Sequence, residues 1–372
     1  MKAVLVSCDP GGSNAVFPLK ETLIQQKWQV ELWGKDQALP QYKKFGQVGK
    51  DISKIYQEYS LSEAEEFITH TQASIVVTGT SGHGFIEKDL WLAAKTIGVP
   101  SIAVLDQWSN YRIRFSEKSL SKVQKKHDSI RLNRLPTKIC VMDKYAKNEM
   151  IGHGFKAGDI VVTGHPYFEL LSSYKKKQLS KPRLLKQNLS KNTYKVLFAS
   201  EPMSNNWCTK EKALNIWGYN EFTVLEALIK SLVSLSKDQN IKIELTIRLH
   251  PKEKKGKFDQ FIKNRLNSLF TIKFNQTEES WDQILSSDLI CGMSSMFLIE
   301  SLILEKPVLS IQLNLRTTDP FVFSRRKITK TITTESELND SLIKSIKSLT
   351  KPKIKIIQKP VENVIRVMES LV

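Results

Sequence analysis

The sequence predicts an α/β protein built from two doubly wound Rossmann-like domains facing a cleft. Three observations predict it. Short apolar strand patterns alternate with helical patterns along the chain, the arrangement that sets parallel strands side by side with helices on both faces. That rhythm is interrupted between Ser172 and Thr193, a stretch rich in Lys, Ser, Gln and Leu with one proline, so the chain divides in two. Finally, 372 residues exceed one typical core and suit two domains of roughly 170 residues each.

The first half opens with a strand from Ala3 to Ser7, then a helix from Ala15 to Lys27 and a strand from Gln29 to Trp33. It continues with a helix from Ser62 to Thr71, a strand from Ser74 to Thr78, a helix from Lys88 to Ile97 and a strand from Ser101 to Leu105. After an irregular basic stretch come a strand from Lys138 to Met142, a helix from Lys144 to Ile151 and a strand from Asp159 to Thr163. The second half begins with the strand Lys195 to Ser200 and the helix Glu221 to Leu235, followed by a strand ending at His250. A helix from Phe258 to Leu269 and a strand from Thr271 to Phe274 lead into a final βαβ unit. The expected organisation is a first domain over 1–171, a basic linker over 172–193, a second domain over 194–350, and a closing segment over 351–372 that packs back on the first domain.

Two strand ends of the second half carry the most chemistry. From Ile241 to His250 apolar and polar residues alternate strictly, a period-2 strand that sets Arg248 and His250 on one face, with Pro251 closing it. Asp288 to Cys291 is a short apolar strand, Gly292 to Ser295 a small-residue turn, Met296 to Leu304 a helix and Pro307 to Ile311 a strand. The helix opens at Ser294 or Ser295, so unpaired N–H groups and hydroxyls meet the positive end of its dipole, which is how helix starts hold phosphate. Glu300 lies one turn past Met296, within reach of sugar hydroxyls beside that phosphate. Each feature alone also describes an N-cap, a structural histidine or a solvent-facing glutamate. Their joint occurrence in successive units of one α/β half favours a ligand.

In open α/β sheets ligands bind beyond the carboxyl ends of strands. In the first half these ends carry Asp9 before Gly11, Gly12 and Ser13, the loop Gly82-His83-Gly84, and Asp106. Asp9, His83 and Asp106 are therefore the candidate general bases, and Gly11 and Gly12 allow close backbone approach to a ligand. No dinucleotide fingerprint G-x-G-x-x-G, P-loop, G-x-S-x-G elbow or H-E-x-x-H motif occurs.

The net charge of +18 is the compositional outlier. It concentrates in Lys118 to Lys138, Ser173 to Lys195 and Lys344 to Lys359, a field that attracts polyanions, an anionic membrane face or phosphorylated substrates. No nucleic-acid-binding motif accompanies it, so nucleic acid is not an expected partner. Cys8, Cys140, Cys208 and Cys291 are scattered without a C-x-x-C pair, and neither a metal site nor a disulfide framework is expected. No run approaches the ~18 apolar residues of a membrane span, and the expected location is the cytoplasm, with peripheral contact at the cytoplasmic membrane face.

The Gly-Gly first turn, Val162-Thr163-Gly164-His165-Pro166, the His-Pro strand end and the Ser-Ser turn together resemble the GT-B superfamily. That group includes nucleotide-sugar glycosyltransferases, UDP-N-acetylglucosamine 2-epimerases and CDP-glycerol glycerophosphotransferases. The resemblance implies that Ser294 and Ser295 bind the diphosphate, Glu300 the ribose, and Arg248 and His250 the donor phosphates, with no cofactor or metal. The expected function is a metal-independent inverting transferase, moving a glycosyl or glycerophosphate-like group from a nucleotide-sugar or CDP-linked donor to an anionic or lipid-linked glycan acceptor. The epimerases are similar in a second place, Leu315-Arg316-Thr317-Thr318-Asp319-Pro320, so a UDP-N-acetylglucosamine 2-epimerase, isomerising or hydrolysing, is the alternative. A non-catalytic basic binding protein is a further one.

Overall fold

The computed structural model describes residues 1–56, 60–117, 132–179, 193–206, 214, 216–262, 268–275, 280–347, 352 and 354–372. They form two compact units, Met1–Leu170 with Ile356–Val372, and Leu171–Lys355. Most of the basic runs at 118–138 and 173–195 lies outside the described residues, as does Cys208.

The first unit runs β1 (Lys2–Ser7), α1 (Pro10–Val16), α2 (Leu19–Gln25), β2 (Gln29–Gly34), α3 (Ala38–Lys44), β3 (Lys50–Asp51), α4 (Leu61–Thr71) and β4 (Ile75–Thr78). It goes on through α5 (Ile86–Thr96), β5 (Ser101–Val104), α6 (Tyr111–Arg114), β6 (Lys138–Val141), α7 (Lys144–Gly152), β7 (Ile160–Val162) and α8 (Pro166–Leu179), the last continuing into the second unit. Its strands pair in parallel in the order β3-β2-β1-β4-β5-β6-β7. Every residue of β4 and β5 is buried, as expected for parallel strands covered on both faces.

One expected helix divides in two. Residues 15–27 do not form a single helix, because Asp9 caps α1 by accepting the Gly12 N–H at 2.7 Å, so the helix starts at Pro10. Pro18, which has no N–H to give to the ladder, then separates α1 from α2.

The second unit contains β8 (Thr193–Ala199), α9 (Met203–Asn206), α10 (Glu221–Asp238), β9 (Lys242–Arg248), α11 (Asp259–Ile262), β10 (Phe270–Asn275) and α12 (Ser280–Ser286). It ends with β11 (Leu289–Gly292), α13 (Met296–Ile303), β12 (Val308–Ile311), α14 (Val322–Arg325), β13 (Thr331–Ile332) and α15 (Glu335–Lys347). Its sheet is also parallel, in the order β10-β9-β8-β11-β12-β13. The β9 side chains alternate between buried and more exposed, as the period-2 pattern predicts. The ladder stops at Arg248 and not at His250, because His250 already opens a turn in which its carbonyl accepts the Glu253 N–H at 2.8 Å. The helix expected from Phe258 is seen as α11, and 263–267 lie outside the described residues.

After the second unit the chain closes with α16 (Pro360–Glu369), whose Val361, Val364, Ile365 and Met368 share one face. They are buried in one cluster with Leu19 and Leu23 of α2. Burying each such side chain is worth about 1.5–3 kcal/mol, enough to hold a ten-residue amphipathic helix on the first unit.

In each sheet the strand order reverses at one place, between β1 and β4 in the first unit and between β8 and β11 in the second. Those are the switch points where ligands of open α/β sheets bind.

Candidate active site

In the first unit the carboxyl ends of β1, β4 and β5 bring three acids together. Asp106, 4% exposed, follows β5, and its Oδ1 accepts from Arg114 Nη1 at 2.6 Å and from Thr80 Oγ1 at 2.9 Å. Arg114 donates also to the Thr80 carbonyl, to the Ser109 carbonyl at 3.1 Å and to Gln107 Oε1 at 3.3 Å, which fixes the guanidinium in place. Asp9, at the end of β1, is pushed up by burial and then by the nearby Asp106 carboxylate, against the Gly12 N–H and Arg114. Glu87, in the first turn of α5, is 1% exposed and accepts the Ser81 N–H. Burial and the adjacent Asp9 hold its carboxyl well above the ordinary range.

Glycines make this convergence possible. A Cβ on Gly11 would stand 2.1 Å from Asp106 Oδ2, and a Cβ on Gly79 would stand 2.4 Å from Gly12 Cα. Gly11 and Gly12, the expected ligand loop, lie in the first turn of α1, where their lack of a side chain admits the Asp106 carboxylate and the β4–α5 turn. The Ser13 hydroxyl is fully buried and bonds the Asp9 carbonyl and Ser7 Oγ, both at 2.9 Å, so it is closed to ligand. His83 is exposed and lies outside the buried cluster, its N–H donating to Ser81 Oγ at 3.3 Å.

In the second unit the switch point is occupied by a side chain that the sequence pattern did not reveal. Glu201 follows β8, and its Oε1 accepts the backbone N–H groups of Met293 at 3.1 Å, Ser294 at 2.6 Å and Ser295 at 2.9 Å. Ser294 Oγ adds a bond of 3.0 Å to Oε2. The donors expected to be open for phosphate are thus engaged by an internal carboxylate, for the same reason that a phosphate would be held there. Burial raises the Glu201 carboxyl, and the four donors oppose that rise. The Ser295 hydroxyl is buried without a hydrogen-bond partner.

Arg248, the last residue of β9, donates to Gln283 Oε1 at 2.6 Å, with its guanidinium 5.4 Å from the Phe297 ring of α13. It therefore stands beside the first turn of that helix. His250 is half-buried and is lowered by burial, against the Glu253 carboxylate. Its Nδ1 accepts the Lys252 N–H at 3.1 Å, so the neutral ring carries its proton on Nε2. The turn is locked by Glu253, which accepts from the His250 N–H at 2.8 Å and from Ser200 Oγ at 2.9 Å and pairs with Lys257 at 2.5 Å. Glu300 is half-buried in the second turn of α13.

Sequence reasoning missed Glu87, Arg114 and Glu201. Glu201 was within its reach, because the rule that singled out Asp9 and Asp106 applies equally to the end of β8. Glu87 looks like an ordinary acid in a helix first turn, and Arg114 sits in the irregular stretch; nothing local marks either. The loop at Asp319 is a structural knot, its carboxylate accepting from Gln312 Nε2 at 2.9 Å, the Phe321 N–H at 2.8 Å, and the hydroxyls of Ser324 and Thr331. Among the described residues no three His, Cys, Asp or Glu side chains are grouped as metal ligands, and no helix is long and apolar enough to cross a membrane.

No protein-family profile and no curated protein matches this sequence. Solved structures do match its fold over the full length. The chain is similar to the UDP-GlcNAc 2-epimerase of Methanocaldococcus jannaschii in complex with UDP-GlcNAc and UDP, with a TM-score of 0.64, 14% identity and 100% of both chains covered. The UDP-GlcNAc 2-epimerase of Neisseria meningitidis bound to UDP-GlcNAc gives 0.67 at 14% identity, again over 100% of both chains. MurG of Acinetobacter baumannii gives 0.54 at 13%, over 100% of both. The fold is GT-B. The expectation of an inverting transferase is overturned by these matches, which are mainly UDP-GlcNAc 2-epimerases.

Proposed function

We propose that this GT-B chain is an epimerase acting at C2 of a UDP-linked N-acetylhexosamine, in an isomerising or a hydrolysing form. The observation that carries the reading is the acidic cluster of Asp9, Glu87, Asp106 and Arg114 at the switch point of the first sheet, in a fold shared along its whole length with UDP-GlcNAc 2-epimerases.

Inverting C2 requires its proton to leave on one face and another to arrive on the opposite face, so a base and an acid are both needed. The cluster supplies carboxyl groups in unlike surroundings. Asp106 is ion-paired with Arg114 and suits the base. Asp9, pushed up by burial and by Asp106, suits the acid. Environments that separate two carboxyl groups in this way mark acid and base assignments in other enzymes. In the second unit Arg248 and neutral His250 are the donors offered to the nucleotide phosphates, and Glu300 is offered to the ribose. Ser294 and Ser295 join them once Glu201 gives up their N–H groups.

The test is incubation with UDP-GlcNAc in deuterium oxide, followed by proton NMR. Appearance of the manno epimer, free or UDP-linked, with deuterium at C2 is the expected result. An unchanged substrate with its C2 proton intact overturns the reading.

A further inference from the structure

Four lysines crowd the turn after β9: Lys252, Lys254, Lys255 and Lys257. The first three are exposed, whereas Lys257 turns inward, with its side chain 9% exposed. Gly256 before it stands at φ 79°, a left-handed backbone that suits glycine. Lys257 Nζ then pairs with two carboxylates whose side chains are fully buried, Glu253 Oε1 at 2.5 Å and Glu221 Oε1. The ammonium also lies 5.2 Å from the centre of the Phe222 ring and 5.3 Å from that of Phe258.

Each carboxylate fastens a different part of the second unit. Glu221 opens α10 and accepts the Ser204 N–H of α9 at 3.1 Å. Glu253 accepts Ser200 Oγ at 2.9 Å on Oε1 and the His250 N–H at 2.8 Å on Oε2. The same turn presents the Lys252 N–H to His250 Nδ1 at 3.1 Å. The imidazole is thus oriented through contacts in series: Lys257 to Glu253, Glu253 to the His250 backbone, and Lys252 to the ring. A buried carboxylate stripped of its cation must find another donor or move toward water, and either movement takes the His250 N–H with it.

We propose that Lys257 is the positioning residue of His250: by clasping Glu253 against Glu221 it holds the turn in which Nδ1 is engaged and Nε2–H is left as the donor. That this donor meets a nucleotide phosphate rests on the proposed epimerase reading; the fixed tautomer does not. His250 is lowered by burial, against Glu253, with Lys252, Lys257 and Arg248 adding to the lowering. The ring is therefore neutral at neutral pH and carries a single N–H, whose place the turn decides.

Nitrogen NMR of the full chain carrying isotope-labelled histidine, at neutral pH, reads the tautomer, the His250 signals being those lost in His250→Ala. The wild-type ring is expected to be in the Nε2–H form alone. Lys257→Met is expected to give a mixture of both tautomers, and Lys257→Arg, which keeps a cation able to bridge two carboxylates, to retain the single form. A wild-type ring in the Nδ1–H form or in a mixture, a single form retained in Lys257→Met, or the same mixture in Lys257→Arg overturns the proposal. Should Lys257→Met not fold, Glu253→Gln leaves one accepting oxygen where Lys257 and the His250 N–H each have their own. Its His250 signals must shift, and unshifted signals overturn the proposal equally.

UDP affinity, measured as a double-mutant cycle, tests the positioning in function. Lys257→Met and His250→Ala are each expected to weaken binding by about tenfold, and the double variant by no more than either alone, because both lose the same donor. Undiminished affinity in Lys257→Met, or losses that multiply in the double variant, overturn the positioning role. If wild-type protein binds no UDP, or His250→Ala binds it unchanged, the phosphate reading of this turn fails by itself, and the tautomer still decides the clasp.

Discussion

Glu201 takes both donors of Ser294, the backbone N–H at 2.6 Å and the hydroxyl at 3.0 Å, although 93 residues separate the two in the chain. An incoming diphosphate that uses the start of α13 must displace this carboxylate. Glu201→Gln replaces charge-assisted hydrogen bonds by weaker neutral ones and removes a repelling charge, so UDP affinity is expected to rise on the order of tenfold. Isothermal titration calorimetry checks it. Weaker binding in the variant would mean that Glu201 itself holds the ligand.

Arg114 and Asp106 form a pair in which each side chain is 5% exposed. Arg114→Met leaves that carboxylate buried without its cation, and a loss of about 3–5 kcal/mol is expected in urea unfolding. Asp106→Asn keeps the shape but removes the carboxylate proposed as the base. It is expected to lower turnover by about 10²–10⁴ while leaving UDP affinity within about twofold. A proportionate loss of both would place Asp106 in binding and not in proton transfer.

Gly79→Ala would set a Cβ 2.4 Å from Gly12 Cα, a backbone atom that cannot turn aside. About 1–3 kcal/mol of destabilisation is expected from overpacking, with turnover reduced further because the β1–α1 and β4–α5 turns are pushed apart. A thermal melt together with the exchange assay separates the two effects.

His165 is fully buried, stacks on Phe168 at 4.7 Å between ring centroids, and accepts the Tyr167 N–H on Nδ1 at 3.2 Å. Burial pushes the imidazole down from 6.5 to about 3. The unfolded chain therefore binds a proton at this residue before the folded chain does. Its contribution to stability is intact above about pH 6.5 and is lost as pH falls toward 3. His165→Gln keeps an acceptor for the Tyr167 N–H without the titration, and its melting temperature is expected to fall less between pH 7 and pH 4 than that of wild type. Parallel curves would count against a buried neutral ring.

Arg248 is held by Gln283 and by the face of Phe297. Arg248→Lys preserves charge but loses the planar stack and the forked donors, so UDP binding is expected to weaken by about tenfold. Equal affinity would remove Arg248 from the proposed phosphate site.

Much of the fold is legible locally. The alternation from Ile241 to Leu249 specifies β9, and Asp288 to Ile311 reads directly as strand, turn, helix and strand, because backbone periodicity is written into neighbouring residues. The helix break at Pro18 was also there to be read, as a proline that cannot join the ladder. The same is true of the candidate acids Asp9 and Asp106, marked by their place at the ends of apolar strands.

What the sequence by itself determined is the succession of elements, the strand-end positions of Asp9, Asp106 and Arg248, and the helix start at Ser295. Only the tertiary structure decided which of these groups touch. The crossovers that set β1 beside β4 and β8 beside β11 bring Glu87 to Asp9 and Glu201 to Ser294. The physical reason is one of range: hydrophobic periodicity acts over a few residues, whereas the electrostatics of a buried carboxyl group depend on whatever the folded sheet places within a few ångströms.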